Sequence, residues 1–339
     1  MIRPSVGVAL VTYRARHHLA RCLPPFLTSP VADRVLVVNS SSDDGTVEEA
    51  QAMGAEIMVV PRERFNHGAT RNLARRHLAT DITVMVTPDA YAEGADALAR
   101  LVEPVAAGEA AVAYGRQLPR DGAGPIESFG RWFNYPPKSQ RRRLADWPRY
   151  GAYTHFCSNA WAAWSNRALD EIGGFPHTLV SEETIAASKL LLRGYTIAYV
   201  AEARVRHSHP GGPVAEFRRH FDIGYARRAY EELLLARERD ETRGVQYVRS
   251  LLGHLLTTTP FHLPQALLEI AAKYAGYRFG LMGRALPTGV CRLLSAQDFY
   301  WASQTSQDDV VEAPMLGQLQ TAVAEPEPEP IDTTGRPEV

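Results

Sequence analysis

Four short strings in the sequence carry residue types that can do chemistry. Residues 39–46 (Asn39-Ser40-Ser41-Ser42-Asp43-Asp44-Gly45-Thr46) gather small hydroxyls and carboxylates just ahead of a helix-like run. The free N–H groups of a helix start can seat a nucleoside or a phosphate there, although an Asp or Ser cap with a turn glycine would use the same residues without a ligand. Residues 65–72 (Phe65-Asn66-His67-Gly68-Ala69-Thr70-Arg71-Asn72) place Gly68 at a second helix start, with Arg71 three residues further on. A guanidinium in that place can reach a diphosphate; a surface arginine on a capped helix is the plain alternative. Thr87-Pro88-Asp89 leaves one carboxylate after a strand, suited to a divalent cation on an anionic substrate or simply to a turn. His207-Ser208-His209 follows another strand, and one of its two imidazoles is expected to face the same site.

The elements that must position these strings follow from the apolar pattern. Runs at 6–12, 35–39, 55–60, 82–87 and 110–115 read as strands, and 17–27, 46–53, 70–79 and 96–106 read as helices, an alternation at α/β spacing. Near-continuous apolar strands fit a sheet covered on both faces, whose ligands sit at the strand carboxyl ends. That rule points to Thr12, Asn39 and 87–89. Between 115 and 158 the pattern breaks into Pro, Gly, aromatic and Arg residues, which predicts a long functional loop. A helix over 182–193 stops at Gly194, with Ser181 as its expected cap, and a strand follows at 195–200. From Pro213 to about Trp301 the chain reads as helices broken at Pro260, Pro264 and Pro287.

Composition bounds the class. A chain of 339 residues with 45% hydrophobic and 22% charged residues can bury a sizeable core, which excludes collagenous, coiled-coil and wholly disordered chains. The formal net charge is −1, but residues 305–339 hold eight acids against Arg336, leaving about +6 on the rest and a weak preference for anionic ligands. That Glu-Pro-rich tail lacks the apolar content to fold. Cys22, Cys157 and Cys291 lie far apart without CxxC spacing, which argues against a disulfide framework or a thiolate zinc site. Neither a secretion signal nor an uncharged apolar run of the ~18–20 residues needed to span a bilayer is seen, so a cytoplasmic protein, soluble or peripheral to the inner face of the plasma membrane, is expected.

Taken together, the strings resemble glycosyltransferase family 2, and within it a bacterial rhamnosyltransferase branch. That branch carries FNHGxTRN, TQDA in place of DXD, YGRQLP, PIExFxRxFNYP, SNxxxAxR, IGGFP, an acidic pair, and HSH followed by FDIG. Here they stand at 65–72, 87–90, 114–119, 125–136, 158–159, 172–176, 182–183, 207–209 and 221–224, so the resemblance spans roughly residues 5–300. It implies a GT-A fold, a Rossmann-like, mostly parallel sheet flanked by helices over 1–235. A C-terminal helical region over 236–304 and the acidic tail over 305–339 would follow.

The implied reaction is inverting transfer of L-rhamnose from dTDP-L-rhamnose to a hydroxyl of a glycan or lipid-linked acceptor, aided by Mg2+ or Mn2+. Residue by residue, the resemblance implies nucleotide-sugar contacts from Thr12, Asn39, Ser40, Asp44, His67, Arg71, Asn72, Thr87 and Gln117. Acceptor contacts are implied from Asn134, Tyr135, Ser158 and Asn159. Asn39 and Ser40 stand where many members have two Asp, Thr87 replaces the first Asp of DXD, and Asp89 becomes the metal carboxylate with His207 as distal ligand, His209 being the alternative. Glu183 takes the place of the general base, with Glu182 as the alternative. A nucleotidyltransferase would share the sheet and the metal carboxylate, yet Thr12-Tyr13-Arg14-Ala15-Arg16 lacks the Gly-rich loop it needs. Another nucleotide sugar, an inactive glycan-binding scaffold, a peripheral membrane contact and a homo-oligomer stay open, and no nucleic-acid partner is expected.

Overall fold

The apolar runs near the N-terminus form four parallel strands, β1 (Val6–Thr12), β2 (Arg34–Asn39), β3 (Glu56–Val59) and β4 (Ile82–Val86), in the spatial order β3-β2-β1-β4. The structure is a computed structural model, and it describes residues 3–209, 211–234 and 241–303. Thr12 lies directly opposite Asn39, so the carboxyl ends of β1 and β2 finish side by side. Helices Thr46–Ala52, His67–Leu78 and Ala97–Ala106 cover the sheet. Val8, Leu10, Val37 and Val84 are sealed beneath them at 0% exposure, which is what near-continuous apolar strands require.

Beyond β4 the sheet becomes mixed. β8 (Trp161–Ser165) runs antiparallel between β4 and β6 (Val112–Leu118), and β9 (Ile197–Arg206) runs parallel to β6. The short strands β5 (Tyr91–Glu93) and β7 (Gln140–Arg142) pair antiparallel with opposite ends of β9. Opposite Gly115 and Arg116 the register of β9 jumps from Val200 to Arg204, and the resulting bulge turns the second half of β9 toward β5 and Asp89.

Several expectations change. The stretch 115–158 is not one loop: β6 runs on to Leu118, and Pro125–Asn134 is a helix with Pro125 in its first turn, where a missing N–H costs nothing. The expected 17–27 helix is two pieces, Arg16–Cys22 and Pro24–Leu27, because Pro24 and Pro25 cannot continue the first. Ser181 does not cap helix Glu182–Leu192 with its side chain; it takes a left-handed φ of 67° instead.

The C-terminal half supplies helices Pro213–Ala229, Glu241–Thr258, Leu263–Leu281 and Thr288–Leu294. The boundary expected at 235/236 falls in residues outside the described ones, as does the tail at 305–339. Among the described residues, no helix is long and apolar enough to cross a membrane.

Candidate functional site

The nucleotide-seat residues form one hydrogen-bonded cluster at the ends of β1 and β2. Asn39 is fully buried and donates to the Thr12 and Ser42 hydroxyls while accepting from the Ser42 N–H. Ser40 donates to the Thr12 carbonyl at 3.2 Å. Asp44 accepts from the Thr46 N–H and hydroxyl, the Ser42 hydroxyl and the Arg16 N–H. Burial opposes its ionisation, but these donors outweigh it and pull its carboxyl down to about 2. Tyr13, next along β1, keeps 40% of its surface exposed. Arg14 and Ser41 both hold positive φ here. With Ser181, three of the four such non-glycine residues among those described lie beside candidate site residues, and strain of this kind gathers at functional sites.

A second cluster forms where Asp89 meets the end of β9. The His207 Nε2 lies 3.2 Å and the His209 Nδ1 3.3 Å from the Asp89 carboxylate. Both imidazoles therefore face the site, against the expectation of one. Residues two apart on extended chain share a face. On its other side, the His207 Nδ1 donates to the Gln117 Oε1 at 2.8 Å, an oxygen that also accepts from Arg131 at 2.6 Å. That contact fixes the tautomer and leaves Nε2 a bare acceptor pointing at a carboxylate, buried and without a hydrogen-bond partner.

Two acceptors facing each other call for a cation between them. The three ligand atoms lie within 4.8 Å of one another, and one carboxylate with two imidazoles suits Mn2+ or, with waters and phosphate oxygens added, Mg2+. Burial alone would raise the Asp89 carboxyl; when the imidazoles carry a further proton, the His207 hydrogen bond and their charge outweigh it and hold it well below the usual carboxylate range. Arg120 donates to the Asp89 carbonyl at 2.6 Å and stands over the Tyr91 ring. Thr87, expected to contact the donor, follows β4 just before this cluster and is half-buried.

The third cluster contains the acidic pair in the first turn of helix Glu182–Leu192. Glu182 accepts from Arg71 at 2.5 Å and from Asn159 at 3.2 Å. Both members of the ion pair are more than nine-tenths buried. Burial resists the Glu182 charge, but Arg71 and His67 overcome it and lower its carboxyl. Glu183 is half-buried, and among the described residues no cation pairs with its carboxylate. Burial first, and then the Glu182 charge beside it, push its carboxyl up to about 8.

Arg71, expected to reach a diphosphate, pairs with Glu182, and the Asn72 side chain is likewise hydrogen-bonded within the protein. The Asn72 amide donates to the Phe175 carbonyl and accepts from the Phe175 N–H and from Arg75. Asn66 accepts from the Ala69 N–H and donates to the Thr178 carbonyl. A Cβ at Gly68 would stand 2.0 Å from the Pro176 carbonyl. The 65–72 string is therefore a bracket to the 172–178 turn as much as a ligand loop.

Ser158 and Asn159 join the second and third clusters. Gln117 donates to the Ser158 hydroxyl at 2.9 Å, which also contacts the Tyr135 hydroxyl, while Asn159 reaches Glu182 and accepts from Trp164. Asn134, at the end of helix Pro125–Asn134, takes the Tyr153 hydroxyl on its carbonyl and Arg243 on its side chain. Sequence reasoning missed Arg120 and the cover over His67. His67 is half-buried against Phe65 and Phe299, and Arg62 lies between the Tyr13 and Phe299 rings. Asp222 anchors that C-terminal cover through the Ser295 hydroxyl and the Ala296 N–H.

Comparison with known proteins bears on the family and the fold. The family model described as "Glycosyl transferase family 2" matches residues 8–172. The O-antigen chain rhamnosyltransferase RfbN of Salmonella typhimurium is 37% identical over 272 residues, 79% of this chain and 87% of that protein. The O-antigen chain rhamnosyltransferase WbaN of Salmonella anatum is 35% identical over 270 residues, 79% of this chain and 86% of its own. Among solved structures, the mannosyltransferase PcManGT of Pyrobaculum calidifontis, in complex with GDP-Man and Mn2+, superposes with a TM-score of 0.53. At 21% identity, covering 90% of this chain and 87% of that one, the likeness shows a shared GT-A fold.

Proposed function

The chain belongs to glycosyltransferase family 2, and from that premise we propose that it moves L-rhamnose from dTDP-L-rhamnose, with inversion, to a hydroxyl of a growing O-antigen-type glycan. The carrying observation is an Asp–His–His cation seat linked, through Gln117 to Ser158 and through Asn159 to Glu182, to an acidic pair whose second carboxyl is raised. The names of the two Salmonella relatives support the sugar and the acceptor class.

A displacement at an anomeric carbon needs a stabilised leaving group on one face and a base on the other. Asp89, His207 and His209 would hold Mg2+ or Mn2+, which when bound neutralises charge on the leaving diphosphate. Gln117 keeps the His207 Nε2 free for that seat. The cluster of Thr12, Asn39, Ser40 and Asp44 seats the nucleoside, with Thr87 and His67 toward the sugar diphosphate. Ser158 and Tyr135 line the acceptor side, with Asn134 beyond them. Glu183 accepts the acceptor's hydroxyl proton as that oxygen bonds to the anomeric carbon, and the bond from that carbon to the diphosphate oxygen breaks. Glu182 cannot share this role while it neutralises Arg71; its charge raises the affinity of Glu183 for a proton instead.

Competition for a labelled donor tests the reading. dTDP should displace it better than GDP or UDP, and a panel of nucleotide sugars should raise the melting temperature most with dTDP-L-rhamnose and Mn2+ together. Preference for GDP or a UDP-hexose would overturn the rhamnosyl assignment and leave family membership intact.

A further inference from the structure

Helix Leu263–Leu281 packs so closely on helix Pro213–Ala229 that their backbones touch. A Cβ at Gly276 would stand 2.2 Å from the Phe217 carbonyl, and one at Gly280 would stand 2.1 Å from that of Phe221. Glycines, Ala266 and Glu269 thus face the protein, and the larger apolar side chains of the helix are left on the outside. Leu267, Leu268, Tyr274 and Phe279 are 48–58% exposed on that outer arc, with Phe261 before it at 94% and Met282 after it at 60%. Such a run of large apolar side chains is more than a monomer's surface ordinarily carries without a partner. At its edge, Val214, Phe217, Ala272, Leu293 and Leu294 line an apolar groove with Arg218 on its wall.

The charges around this face have one sign. Between residues 242 and 297 the chain has a single acid, Glu269, which is buried at 4% exposure. Arg278, Arg284 and Arg292 are exposed in the same stretch. We propose that this face of helix Leu263–Leu281, with the turn before it and the edge of helix Thr288–Leu294, lies on an anionic lipid bilayer. Apolar side chains enter the acyl boundary while the arginines meet lipid phosphates. A second copy of the chain fits less well, because a twofold contact would set arginines against arginines with no exposed acid to pair them. Helix Pro213–Ala229 begins shortly after His209, so docking through its partner helix holds the catalytic cleft close to the bilayer, where a lipid-linked acceptor resides.

The test is co-sedimentation of the full chain with phosphatidylcholine vesicles made with and without phosphatidylglycerol, at low and at high salt. Binding is expected to need the anionic lipid and to weaken with salt. The Leu268→Glu/Phe279→Glu double variant should lose about tenfold or more of it, since each side chain would contribute its burial in the acyl boundary. Both positions are exposed, so the variant should keep its melting temperature; Arg284→Glu/Arg292→Glu gives a second, charge-only route to the same loss. No binding to anionic vesicles at low salt would overturn the proposal. So would a dimer in sedimentation velocity that the apolar double variant dissolves while vesicles bind neither protein. The readout is lipid partition, so failure of the donor assignment would leave it unmoved, and failure here would leave the donor assignment standing.

Discussion

Replacing each acid of the 182–183 pair with glutamine should produce two unlike enzymes. Glu183→Gln keeps size and removes basicity, and general-base contributions of ~10²–10⁴ set the expected loss in kcat, with donor binding kept. With the carboxyl pushed up to about 8, most of wild-type Glu183 is protonated at pH 7 and most is ionised at pH 9. Wild-type turnover should therefore climb about tenfold over that interval, while the variant stays flat. Stability should move the other way. A carboxyl raised in the folded state binds more protons there than when unfolded, so folding stability falls as pH rises from the ordinary glutamate range toward 8. Glutamine escapes that penalty, so Glu183→Gln should melt no lower than wild type at pH 8.

Glu182→Gln instead leaves Arg71 buried without its counter-charge, a loss of about 3–5 kcal/mol and on the order of 10 °C in melting temperature. The assay is the initial rate of nucleotide release from pH 6 to 9.5, beside thermal melts of all three proteins. If Glu183→Gln turns over within a few-fold of wild type, or the wild-type profile is flat from pH 6.5 to 9, the base lies elsewhere; if only Glu182→Gln is dead yet stable, the role moves one residue back.

At the cation seat, Asp89→Ala should abolish transfer, and His207→Ala should cost more than His209→Ala, because the second imidazole is 63% exposed and held by less of the protein. Gln117→Leu, which touches no ligand atom of the seat on Asp89, should raise the Mn2+ concentration for half-activity by ~10–100-fold; full activity of Asp89→Ala in EDTA would end this account. Truncation after Gln304 should leave kcat within about a factor of two, less than ~1 kcal/mol of barrier, because the Pro and Glu content of residues 305–339 provides neither a core nor a site. A tenfold loss in a steady-state assay would show otherwise.

The parallel half of the sheet was legible because β1, β2 and β4 are buried on both faces and so read as unbroken apolar runs. β8 was not, since Trp161-Ala162-Ala163-Trp164-Ser165 sits among small residues that give no alternation, and its antiparallel place between β4 and β6 is a tertiary fact. The helix Pro125–Asn134 hid among turn-forming residues, although Ile126 and Phe129 at three-residue spacing are a helical signal. At the site, Asp89 and the His207-Ser208-His209 string stood out from residue type and place after a strand, whereas the acidic pair and the choice of His207 came only with the resemblance. What each touches was not legible, because Arg71 and Glu182 are 111 positions apart and nothing local reports their contact.

That contact also changes what the 65–72 string does. An arginine beside a glycine at a helix start invites a phosphate, and the local sequence supports that reading. In the fold, Gly68, Asn66 and Asn72 clamp the helix His67–Leu78 to the 172–178 turn, and the clamp carries Arg71 under the start of helix Glu182–Leu192. A buried carboxylate pair cannot both ionise easily, and whichever member has the cation ionises first. Arg71 makes that member Glu182, so Glu183 is left with the higher affinity for a proton. A first-turn position would otherwise lower the Glu183 carboxyl through the helix N-terminus, which is the wrong direction for the base proposed above. Burial and the fixed charge of Glu182 outweigh it, and both depend on the 65–72 clamp. In the proposed reaction Arg71 would thus act on the chemistry through the acid it holds ionised.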